Sequence, residues 1–66
     1  MKAINFDFTE NRGKSVTVET HEKIRTGKLL GLMPDNVAVL DMSESFGGQL
    51  ALSEIELNEI VNIDLS

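Results

Sequence analysis

Lys23–Asp41, KIRTGKLLGLMPDNVAVLD, is the stretch on which the fold turns. It reads as two consecutive strands joined at Met33-Pro34-Asp35-Asn36. Alternation sets Ile24, Thr26, Lys28, Leu30 and Leu32 on one face of the first strand and Arg25, Gly27, Leu29 and Gly31 on the other. Leucine on both faces predicts cover on both sides. Gly27 and Gly31 carry no side chain to pack, which predicts a sharp bend or the close approach of another backbone. Pro34 cannot donate to a ladder and Asp-Asn accepts turn geometry, so the strand ends there. Val37-Ala38-Val39-Leu40 follows, short, apolar and suited to the middle of a sheet. A strand bent enough to serve two sheets is how a small barrel closes.

Before this pair, Ser15–Thr20 (SVTVET) alternates Val16 and Val18 with Thr17 and Glu19 and predicts a strand, with His21-Glu22-Lys23 as the turn into the next. Ala3–Phe8 alternates Ile4, Phe6 and Phe8 against Asn5 and Asp7, which predicts an extra N-terminal strand followed by a loop or single turn ending at Gly13. Residues 1–14 form an arm whose phenylalanines pack on the body or on a neighbouring subunit. After Asp41, Gly47-Gly48 supplies the positive φ of a hairpin tip, with Phe46 expected in the core. In the last stretch Leu50 and Leu52 share one phase and Ile55 and Leu57 the other, so a bulge near Ser53-Glu54 is expected. An amphipathic helix through Ser53–Asn62 is the competing reading. Five short strands separated by turn signals predict an all-β chain, a small five-stranded, strongly bent antiparallel barrel.

With 66 residues and no cysteine, the chain forms one domain, 1–66, and has neither a disulfide nor a Cys/His zinc site to brace a marginal core. Oligomerisation is the remaining common remedy. The longest apolar run is four residues, so no segment spans a bilayer, and nothing after Met1-Lys2 reads as a signal peptide; the expectation is a cytoplasmic protein without a membrane role. Charge is segregated. Residues 1–28 hold all six basic residues with four acids, and residues 29–66 hold seven acids and no base, for −5 overall. Such a chain does not coat nucleic acid non-specifically, but Arg12, Lys14, Lys23, Arg25 and Lys28 can form a basic face on an acidic body.

No enzyme signature is present. His21 is alone and in a turn, the serines lack a nucleophile-elbow context, and the glycines lack the lysine of a phosphate loop. Asp35, Asp41 and Glu44 do not have calcium-loop spacing. The expectation is a non-enzyme without cofactor, metal or small-molecule substrate.

The chain resembles the Sm-like family of five-stranded barrels, which includes the LSm proteins and bacterial Hfq. The first half of that family's pattern runs apolar-x-Gly-x-Leu-x-Gly, a loop, then a short apolar strand ending in aspartate. It is matched here by Ile24–Gly31, the loop Met33–Asn36 and Val37–Asp41. Ile55–Ile63 matches the apolar spacing of the second half, and the resemblance covers residues 15–63. The chain departs from the pattern in four respects: Met33 stands for the loop aspartate, Asn36 sits one position from the usual loop asparagine, Glu56-Leu57 stand for Arg-Gly, and the family's N-terminal helix is not evident.

The resemblance implies a cyclic homo-oligomer, each fourth strand pairing with the fifth of the next copy. It also implies that Met33, Pro34, Asp35 and Asn36, with Leu57 and Asn58, line a central pore that binds single-stranded RNA or DNA during processing or chaperoning. The basic group above would add phosphate contacts. The alternative is a non-catalytic interaction or structural oligomer with the same barrel and no nucleic acid, favoured by the acidic second half and Glu56.

Overall fold

The computed structural model describes residues 1–66. The chain is all-β, with strands β1 (Ser15–Thr20), β2 (Ile24–Met33), β3 (Val37–Asp41), β4 (Leu52–Glu56) and β5 (Ile60–Leu65) in one antiparallel sheet of order β4-β3-β2-β1-β5. Short 3-10 turns occupy Ala3–Asn5, Ser43–Phe46 and Leu57–Glu59. No helix is long and apolar enough to cross a membrane.

β2 is the hinge of the sheet. Its residues from Ile24 to Lys28 pair with β1, and those from Lys28 to Met33 pair with β3, so the changeover falls between the two glycines. Gly31 has φ +152, and the register slips between Leu29 and Gly31, which marks a bulge. At Gly27 the carbonyl of Asp41 crosses close overhead. The turn closes with the Asn36 amide donating to the Met33 carbonyl at 3.0 Å, and Asn36 takes φ 63.

The core lies on one face of the curved sheet. Val16, Val18, Leu29, Ala38, Leu40, Ile55 and Ile63 are fully or almost fully excluded from water, and Phe6 and Phe8 fold beneath them edge to face at 5.0 Å. β1 and β3 bury alternate residues, as a half-buried sheet requires, while β2, β4 and β5 contribute Leu29, Ile55 and Ile63.

Five expectations need correction. The sheet is not closed into a barrel: β4 and β5 are both edge strands and do not pair within the chain. β2 is covered on one face only, Leu30 and Leu32 remaining exposed. The N-terminal segment is a turn rather than a strand, and Ile4 is 88% exposed while Phe6 and Phe8 are buried; the 3-10 turn at Ala3–Asn5 breaks the alternation that would have pointed all three inward. Phe46, 57% exposed, is no core residue, because the Ser43–Phe46 turn carries it away from the sheet. No bulge interrupts Ser53-Glu54; β4 pairs evenly with β3 from Val37↔Glu56 to Asp41↔Leu52. The two phases are not reconciled: Ile55 is buried while Leu50 and Leu52 stay exposed, and the helical reading falls because β4 and β5 are strands joined by the short Leu57–Glu59 turn.

Candidate nucleic-acid interface

The loop after β2 and the turn between β4 and β5 meet. The Leu57 amide donates to the Asn36 carbonyl at 3.0 Å, continuing the β3–β4 ladder by one pair. Asp35, Asn36, Glu56, Leu57 and Asn58 consequently line a single open depression. Most of the predicted pore-loop set is brought together in this way; Pro34 is exposed beside it, and Met33 lines a separate apolar depression with Arg12, Leu30, Leu32 and Val39. Two amide side chains, Asn36 and Asn58, supply donors and acceptors, and Asp35 and Glu56 give the depression a negative rim without a cation.

The basic residues are dispersed. Lys28 stands opposite Ser15 and Asp41 on the solvent face, whereas Arg25 stands opposite the buried Val18 and so has the phase of the core face. Lys23 occupies the β1–β2 turn, where its carbonyl accepts from the Thr20 amide at 2.9 Å. Arg12 lays its side-chain carbons over Gly31, and Lys14 continues the ladder by accepting from the Leu29 amide at 2.9 Å. Arg25 shares a depression with His21, Glu22 and Glu59. The segregation of charge along the sequence does not become one basic face, because β1 and β2 present their residues to both sides.

Near Lys28, the hydroxyl and amide of Ser43 hydrogen-bond Asp41 and, with Lys28 nearby, hold its carboxyl below the ordinary aspartate range; the amide contact is 2.9 Å. Asp64 is likewise lowered, by the Asn62 side-chain amide at 2.7 Å and the N-terminal ammonium at 3.2 Å.

Both edges of the sheet, β4 and β5, are unpaired within the chain. The Met42 amide donates to the Ala51 carbonyl and the Leu57 amide to the Asn36 carbonyl. By the alternation of an antiparallel ladder, Ser53 and Ile55 also face β3, while the backbone groups of Leu52, Glu54 and Glu56 face outward. On β5 the bond from the Ser66 amide to the Ser15 carbonyl fixes the same alternation, leaving Ile63 and Leu65 facing outward as far as the irregularity at Val61. No protein-family model, curated protein or solved structure matches the chain.

Proposed function

We propose that the chain is an Sm-like module. Copies join by strand addition, β4 of one on β5 of the next, and hold single-stranded nucleic acid, RNA in the first instance, on the loops 33–36 and 57–58. The observation that carries this reading is the Asn36–Leu57 backbone bond, which sets the Asn36 and Asn58 amides in one depression. Amides are suited to the edges of unstacked bases, and Leu57 offers an apolar contact between them. Two unpaired edges on one small sheet supply the means of assembly.

The charge distribution sets the character of the binding. With Asp35 and Glu56 beside the amides and the cations spread over both faces, base contacts outweigh phosphate contacts, so affinity is modest and falls only shallowly with salt.

Fluorescence anisotropy with a labelled uridine-rich oligonucleotide, titrated between about 50 and 200 mM salt, tests this. Binding that weakens about fivefold or more in Asn58→Ala, the effect of one lost hydrogen bond, supports it. Charge reversal at Lys28 and at Arg25, made separately, shows which face the strand crosses. Absence of binding at the lowest salt rejects the nucleic-acid role. It would favour the second reading, a non-catalytic interaction module assembled by the same edges, for which the carboxylates of Asp35 and Glu56 in the same depression speak.

A further inference from the structure

The two sheet edges are not equivalent. No backbone bond from elsewhere in the chain reaches the outward groups of Leu52, Glu54 and Glu56 on β4. On β5 the outward row is occupied: the Ile63 amide donates to the Met1 carbonyl at 2.7 Å. The Met1 ammonium adds a hydrogen bond to the Asn62 side chain and lies 3.2 Å from the Asp64 carboxylate. The Ala3–Asn5 turn then packs against β5, and the segment is anchored where Ala3 meets the core and Phe6 and Phe8 enter it. Between Met1 and Phe6, the largest apolar side chain, Ile4, is left in water.

We infer that residues 1–4 are a displaceable strap over the β5 edge, competing with β4 of a second copy and setting how readily copies join. The inference rests on the strand-addition reading above. The competition is for a hydrogen: an incoming carbonyl on β4 needs the Ile63 N–H that Met1 already holds, and one N–H makes one well-aligned bond. Deepening the competition, displacement also strips Asp64 of its ammonium partner just as the Glu54 and Glu56 carboxylates of the incoming strand arrive. The strap is nevertheless weak, since beyond the half-buried Ala3 its hold is one ladder bond, one side-chain hydrogen bond and an exposed ion pair, so it tunes association without abolishing it.

Deletion of Lys2, Ala3 and Ile4 joins an initiating methionine to Asn5, keeps Phe6 and Phe8, and leaves the chain too short to reach Ile63. Asp64→Asn, which removes the ionic hold and one of the two oxygens shared between the ammonium and the Asn62 amide, serves as the second variant should the deletion fail to fold by circular dichroism. Sedimentation equilibrium over a concentration series reads the result. The strap predicts that the deletion lowers the concentration at half-assembly by about tenfold, and Asp64→Asn by a smaller factor in the same direction. Assembly of the variants equal to or weaker than that of the parent overturns the strap while leaving strand addition in place. Folded monomers for parent and variants alike, up to the highest concentration, overturn strand addition itself.

Discussion

Gly27 lies against the backbone of Asp41 so closely that a Cβ at position 27 would stand 2.7 Å from the Asp41 carbonyl oxygen. The partner is main chain in the β2–β3 ladder, where Lys28 is paired with Asp41, so relief requires moving a strand. Gly27→Ala is therefore expected to cost about 1–3 kcal/mol, read as a lower urea midpoint. A midpoint equal to the parent's would mean that the end of β3 yields freely.

The bulge in β2 makes neighbouring leucines unequal. Leu40 is wholly buried opposite Leu29, and Leu30 sits at the slip in register with much of its side chain in water. Leu40→Ala should cost about 2–5 kcal/mol, a large share of the stability of so small a domain, and Leu30→Ala about 0.5 kcal/mol. Equal losses in chemical denaturation would refute the assignment of the bulge.

Asn36 has two tasks that substitution can separate. Its φ of 63 is a left-handed conformation, so Asn36→Ala should lose about 1 kcal/mol in thermal or urea unfolding and Asn36→Gly almost nothing. Asn36→Gly keeps the turn and removes the amide. An undiminished affinity for uridine-rich RNA in that variant would remove Asn36 from the proposed interface.

Asp41 ties stability to acid pH. Its carboxyl is lowered from 3.8 chiefly by the Ser43 hydroxyl, then by the Ser43 amide. The ionised form is thus favoured by folding, and its contribution is complete above pH 3.8 and lost as pH falls through the lower folded value. Ser43→Ala should move the Asp41 carboxyl upward, as followed by NMR titration of its side chain. A titration curve unchanged by Ser43→Ala would show that the hydroxyl is not the cause.

Much of the sheet was legible because its signals were local. The alternation in Ser15–Thr20 and the stop at Pro34-Asp35-Asn36 gave β1 and the β2–β3 turn directly, and Gly27 and Gly31 announced the bend that the structure contains. Ala3–Phe8 misled, since a 3-10 turn and a strand can both present Phe6 and Phe8 inward and only the fate of Ile4 distinguishes them. The convergence of Asn36 with Leu57 and Asn58 was expected from the resemblance alone. It depends on β3–β4 register, which no short window of sequence encodes. The strap over β5 left no trace in the pattern, because its key bond is made by the backbone of Met1.

The pairing of β1 with β5 has a consequence for how the chain comes into being. Val18 is matched with Ile63, so the second neighbour of β1 is a strand synthesised well after it. The β2–β3 hairpin, closed by a short turn, can form while the chain is still being made, but β1 must wait with one side bare until Ile63 has left the ribosome. During that interval Val16 and Val18 lack half their cover. Nascent chains are therefore exposed to proteases and to one another along β1, until β5 converts a loose hairpin into a protected sheet.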